Sequence, residues 1–303
     1  MKRLYSILFV MAISMSLSEM NSQNTQKLFF SGEDYAWQYQ FAKDHGVQVA
    51  YLFYQKQFVN PDGLTFNKTL MENSVNKLIP DINEYGYAVL DWEGPIFHAL
   101  AGWVTVTPTV YQQYINQFIA TIQYAKYLRP NIKWSFYNMP SFLYTRFSEE
   151  KTNAYHLKRL PLFKALDFLA PSFYLFFDGK TVEEEFVSQW FDDNLKYSLQ
   201  LGLSLNKPTY CFVWNRWYPN YPNGNMLMDY TTYKKYISRI VNTQFLNSKP
   251  AGLIWWNCEE YLYSLRNSDP IIMNEYKNVT NPTTYKYNIL QTYLDSTRAV
   301  MNQ

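Results

Sequence analysis

The feature that most constrains this chain is an alternation: short apolar runs recur between longer amphipathic stretches. Seven runs read as strands: Lys27 to Phe30, Val47 to Tyr54, Tyr87 to Asp91, Lys133 to Tyr137, Phe168 to Tyr174, Pro208 to Trp214 and Gly252 to Trp256. The stretches between them carry helix punctuation. Thr107 reads as an N-cap with Pro108 in the first turn, and Tyr111, Ile115, Phe118, Ile119, Ile122 and Ala125 follow at helical spacing up to Leu128-Arg129-Pro130. Thr181 caps a second helix whose first turn holds Glu183, Glu184 and Glu185, with Gly202 standing where a C-cap glycine belongs. Further helices are expected around Asp34 to Lys43, Lys151 to Ala165, Tyr230 to Val241 and Tyr285 to Val300. Such an alternation, with no internal linker or repeat, leaves a closed parallel barrel or an open doubly wound sheet. The ten glycines are never closer than eight residues apart, so no Gly-x-Gly-x-x-Gly turn exists, and the barrel is favoured.

The first residues belong to a different layout. Lys2 and Arg3 precede an apolar stretch from Leu4 to Leu17 and a polar segment from Ser18 to Gln23, as in a secretory leader. The stretch is short for a bilayer span, and the alternative is an N-terminal anchor. The expected organisation is a leader at 1–23 and a single barrel domain at 24–303, secreted or periplasmic and without stable membrane insertion once the leader is removed. Only Cys211 and Cys258 are present, so at most one internal disulfide can form; each sits in an expected strand, where buried free thiols are the favoured state.

Composition excludes more than it identifies. Lys and Arg total 27 against 25 acidic residues, with no block of like charges, so there is no electrostatic footprint for nucleic acid. The three histidines are scattered without metal-ligand spacing, no Gly-x-Ser-x-Gly elbow exists, and no cofactor is implied. Aromatic residues make up 19% of the chain. That excess suits a sugar-binding surface, because Tyr and Trp set a flat apolar body beside a polar tip; a compositional habit of the source would produce it too.

Carboxylate chemistry remains. In Tyr87-Ala88-Val89-Leu90-Asp91-Trp92-Glu93-Gly94-Pro95 an apolar strand meets two carboxylates and a turn. Residues i and i+2 of a strand face the same way, so Asp91 and Glu93 project together with Cα atoms roughly 6.6 Å apart. At a barrel strand's C-terminal end that is the catalytic face. Neighbouring carboxylates disfavour each other's ionisation, which keeps one protonated as a general acid. Two groups on one strand end approach a sugar from the same side, whereas a displacing nucleophile and its acid flank it. Substrate assistance resolves this: an acetamido oxygen attacks the anomeric carbon, Glu93 protonates the leaving oxygen and Asp91 holds the acetamido N–H. A purely structural role, capping a turn or pairing a nearby Arg or Lys, is the competing reading.

The segment Ala88-Val89-Leu90-Asp91-Trp92-Glu93 resembles the catalytic strand of the hyaluronidase family, glycoside hydrolase family 56. Other segments resemble that family in the same order: Val49 to Tyr54 with Pro61; Trp134-Ser135-Phe136-Tyr137-Asn138-Met139-Pro140; Pro171-Ser172-Phe173-Tyr174; and Gly252-Leu253-Ile254-Trp255. Together they span most of residues 47 to 260. The resemblance implies an α/β fold, a distorted TIM-like barrel of seven strands. It implies Glu93 as general acid, Asp91 as the acetamido-orienting partner, Tyr174 as a hydroxyl near an oxazolinium-like intermediate, Trp255 as a wall against the acetamido methyl, and Tyr137 lining the cleft. After Pro208 the match is looser, and Trp214 and Arg216 are its candidate substrate contacts. Two departures stand out. Gly94-Pro95-Ile96-Phe97 replaces the Glu-Trp-Arg-Pro that follows the acidic pair in animal members, and their disulfide cysteines are absent, which points to a bacterial or otherwise distant relative. The function expected is hydrolysis of an N-acetylhexosamine-containing polysaccharide or oligosaccharide. Another glycan hydrolase on the same barrel, and a non-catalytic carbohydrate-binding protein, are the alternatives.

Overall fold

The computed structural model describes residues 26–33, 36–141, 149–175, 184–219 and 223–302. The leader at 1–23, Asp34, and Thr181 with Glu183 lie outside them. Six parallel strands form one sheet: β1 (Lys27–Gly32), β2 (Gln48–Tyr54), β3 (Gly86–Asp91), β4 (Ile132–Phe136), β5 (Tyr210–Val213) and β6 (Gly252–Asn257), in the order β4-β3-β2-β1-β6-β5. All-parallel pairing requires crossovers, and helices supply them.

The expected seventh strand, Phe168 to Tyr174, is not a regular strand. It is extended and lies between the two edge strands, held by parallel bridges Leu169 to Thr209 and Ser172 to Phe212 on the β5 side and an antiparallel bridge Met139 to Ala170 beyond β4. Pro171 supplies the physical reason, since it has no N–H to donate to a ladder; its carbonyl accepts from the Phe212 N–H at 2.9 Å instead. The six strands make a curled half-barrel sheet whose two edges this segment bridges, an arrangement consistent with a distorted TIM-like barrel.

Side chains alternate across every strand. Phe29, Ala50, Leu52, Val89, Phe212 and Ile254 fill the interior. The opposite faces pack under the helices in two further layers, with Phe53, Leu90, Trp92, Trp134 and Phe136 on one side and Phe30, Cys211, Val213, Leu253 and Trp255 on the other. Both cysteines are buried and free.

The helix Pro108–Leu128 forms as its sequence indicates: the Thr107 side chain accepts the Val110 N–H, and Tyr111, Ile115, Phe118, Ile122 and Ala125 are buried. The expected stop at Gly202 is displaced. The helix Glu184–Leu205 runs through Gly202 and ends at Asn206, which takes the left-handed conformation at φ 52. Gly202 serves close approach instead, because a Cβ there would meet Thr209 Oγ1 at 2.7 Å and the Lys207 carbonyl at 2.9 Å. Among the described residues no helix is long and apolar enough to cross a membrane.

Candidate active site

Asp91 is the last residue of β3, in register with Tyr54 at the end of β2. The residue between the two carboxylates is what fixes them. Trp92 points the other way, 2% exposed, stacked on Phe118 with centroids 4.7 Å apart and planes at 10°, while its Nε1 donates to the Gly63 carbonyl at 3.0 Å. With Trp92 anchored in the outer core, period-2 alternation turns Asp91 and Glu93 together toward the barrel mouth. Gly94 follows where a Cβ would sit 2.9 Å from Gln55 Oε1, and the helix Pro95–Leu100 starts with its proline in the first turn.

The two carboxylates occupy different environments. Glu93 is exposed to the cleft, whereas Asp91 is sunk at its floor with Oδ1 buried and without a hydrogen-bond partner among the described residues. Burial holds the Asp91 carboxyl well above the usual carboxylate range, and the neighbouring Glu93 charge pushes it further. Desolvation by the surrounding cleft walls raises Glu93 as well, although its side chain still reaches solvent. The physical consequence is a pair that retains a proton at a pH where an isolated carboxyl would lose it.

Two cavities meet at this pair. One, of about 240 Å³, is walled by aromatics: Tyr137, Tyr174, Trp214, Tyr218 and Trp256 surround Asp91 and Glu93. Tyr174 lies 5.6 Å from Trp256 with planes at 20°, and 5.9 Å from Tyr137. The Tyr137 hydroxyl donates to Ser172 Oγ at 3.0 Å. Burial pushes both phenols well up, with Glu93 adding to Tyr137, and Tyr137 and Asp91 adding to Tyr174, so both remain O–H donors. Trp214 Nε1 is buried without a partner among the described residues. The other cavity, of about 350 Å³, is lined by Glu33, Tyr54, Gln55, Lys56 and the same two carboxylates.

Of the residues singled out from the sequence, Asp91, Glu93, Tyr137, Tyr174 and Trp214 are brought together at this mouth. Trp255 and Arg216 are not. Trp255 is fully buried on the outer face of β6, edge-on to Phe30 at 5.6 Å, with Nε1 donating to Asn215 Oδ1 at 3.2 Å. Its neighbour Trp256 has the inward parity and lines the cleft. Arg216 is fully buried and committed: it forms a bidentate pair with Glu259 at 2.9 and 2.6 Å, a second with Glu275 at 2.7 and 2.9 Å, and donates to the Asn225 carbonyl at 2.7 Å. No donor remains for a substrate in the cleft.

Trp256, Tyr54, Glu33 and Lys56 escaped the sequence reading. The Trp256 Nε1 donates to the Tyr54 hydroxyl at 3.2 Å, joining the ends of β6 and β2. Counting parity along β6 and β2 would have found both. Glu33 follows β1, and its Oε2 accepts the Tyr261 N–H at 3.1 Å.

No protein-family model and no curated protein matches the sequence. Solved structures do. The chain is similar to bee venom hyaluronidase in a monoclinic crystal form, with a TM-score of 0.59 and 16% identity, over 86% of this chain and 99% of that one. It is similar also to bee venom hyaluronidase in complex with a hyaluronic acid tetramer, with a TM-score of 0.55 and 15% identity, over 86% and 98% of the two chains. At that identity the likeness is one of architecture: the chain has a hyaluronidase-like fold.

Proposed function

We propose that the protein is a glycoside hydrolase of hyaluronidase type, an endo-N-acetylhexosaminidase that retains configuration through substrate assistance. The observation that carries this reading is the asymmetric pair, an exposed Glu93 beside a sunken Asp91 whose buried oxygen has no partner, at the floor of an aromatic cleft. An unsatisfied buried acceptor is costly, and an acetamido N–H is the donor that fits it. Accepting that bond favours the ionised form of Asp91, which leaves the shared proton on Glu93. Glu93 then protonates the leaving glycosidic oxygen while the substrate's own acetamido oxygen closes on the anomeric carbon. Loss of the leaving group returns Glu93 as a carboxylate able to deprotonate the water that opens the cyclic intermediate. Tyr174 offers its phenolic O–H to the acetamido end while the Tyr137 O–H is held by Ser172, and Trp256, backed by the buried Trp214, offers a face to the sugar rings.

The fold shared with bee venom hyaluronidase supports the reading, and the leader-like first residues support export of the barrel that follows them. A reducing-end assay over hyaluronan, chondroitin, chitin fragments and peptidoglycan tests it. At least one N-acetylhexosamine polymer should be cleaved, and Glu93→Gln should lower that rate by about 10²–10⁴-fold. Unchanged hydrolysis in Glu93→Gln would sink the proposal.

A further inference from the structure

Among the described residues, the charge that lines the cleft is opposite to what a polyanion needs. Among the described lining residues of the two cavities the ionisable acids are Glu33, Asp91 and Glu93, and Lys56 is the only cation. Lys56 is itself close enough to Glu33 for its charge to act on that carboxyl, so it is partly offset where it stands. The guanidinium that could have served a substrate carboxylate, Arg216, is held by Glu259 and Glu275. What remains of the lining is aromatic, aliphatic or amide. Even with one proton shared by Asp91 and Glu93, the described lining keeps two negative charges against one positive.

We propose that this cleft takes an uncharged N-acetylhexosamine chain and disfavours a polyuronate such as hyaluronan, a substrate class that rests on the glycan reading above. A uronate carboxylate bound beside Glu33, Asp91 or Glu93 lies within about one Debye length, ~8–10 Å, of like charge without gaining an arginine fork. A neutral sugar ring loses nothing there: Glu33 accepts hydroxyl hydrogen bonds, and the indoles and phenols stack on ring faces. The selection therefore works by repulsion as much as by attraction.

The test isolates charge from linkage. Hyaluronan hexasaccharide and the same hexasaccharide with its uronates reduced to glucose are titrated calorimetrically into the full-length Glu93→Gln protein, which retains Glu33 and Asp91, at about pH 7.5 and at low and moderate salt. The carboxyl-reduced chain should bind about tenfold more tightly. Hyaluronan affinity should rise with salt as repulsion is screened, the reverse of binding to a basic groove. Glu33→Gln, added to Glu93→Gln, should narrow the ratio between the two ligands severalfold. Hyaluronan binding as tightly as the neutral chain, or weakening with salt, overturns the inference while leaving the glycan reading intact. Binding of neither ligand, together with no cleavage of any N-acetylhexosamine polymer by the unmutated protein, overturns both.

Discussion

At the scale of single residues, Asp91 and Glu93 show how one tripeptide yields two chemistries. The charge they share separates because alternation places both at the barrel mouth while depth differs, one exposed and one sunk. Two consequences are measurable in Asp91→Asn. A general acid must be protonated, so the rate falls as pH rises through the value at which the pair loses its last proton; without Asp91 there is no second carboxyl to share that proton, and Glu93 alone loses it sooner. The alkaline limb of kcat/KM is expected to move toward acid pH, alongside a large drop in kcat. The second consequence concerns stability. Burial raises the Asp91 value above that of the unfolded chain, so its favourable contribution is complete below the unfolded value, about pH 4, and is lost as pH rises through the folded one. Asp91→Asn should therefore raise Tm at alkaline pH and change it little at about pH 4. A Tm gain in scanning calorimetry that fails to grow with pH would contradict the burial argument.

At the scale of elements, strand β6 marks where sequence reading succeeds and where it stops. The apolar run from Gly252 to Trp256 is legible as a strand from composition and punctuation, and its end as part of the site only through the family resemblance. Which of two adjacent tryptophans faces the cleft was not, because the resemblance pointed to Trp255 while one residue of parity exchanges the two faces. The interior position of Ile254 settles it: Trp256 shares that face, and Trp255 joins Phe30 and Leu253 under the helices. The same limit explains Tyr54, which shares its parity with Leu52 and Ala50. For Phe168 to Tyr174 the alternation was right and the hydrogen bonding wrong, since Pro171 removes a ladder donor without disturbing which side chains face inward. Short helices such as Lys68–Leu78 and Pro270–Tyr276 leave weak periodicity in the sequence, and only their caps, Asn67 and Asp269, mark where they start. The two tryptophans make a paired prediction. Trp255→Ala empties a fully buried site and should cost roughly 3–5 kcal/mol in urea unfolding with KM little altered. Trp256→Ala, half-buried at the mouth, should cost less stability and raise KM severalfold; the opposite assignment of the two effects would mean that the β6 register is wrong.

At the scale of the whole molecule, the barrel was legible because strand and helix signals alternate and no glycine-rich phosphate turn exists, whereas the clasp over its C-terminal end left no local trace. That clasp is Arg216, in the loop after β5, holding Glu259 and Glu275 in the two short helices after β6, Glu259–Ser264 and Pro270–Tyr276. Its partners lie 43 and 59 residues away along the chain, beyond any window in which sequence spacing carries information. A fully buried, bidentate pair differs from a surface pair in what its removal exposes. Arg216→Met leaves Glu259 charged and without its counterion in the interior, which should cost about 3–5 kcal/mol, or a Tm lowered by about 10 °C for a domain of this size; Glu259→Met is the second single variant. Replacing both Arg216 and Glu259 by methionine removes the stranded charge together with its partner, and Glu275, which reaches solvent, can hydrate. The double variant should consequently lose much less than the sum of the two single losses. Urea unfolding of the four proteins measures that coupling directly; additive losses would show that Arg216 and Glu259 act independently, and that the loops are held over the barrel mouth by packing rather than by this pair.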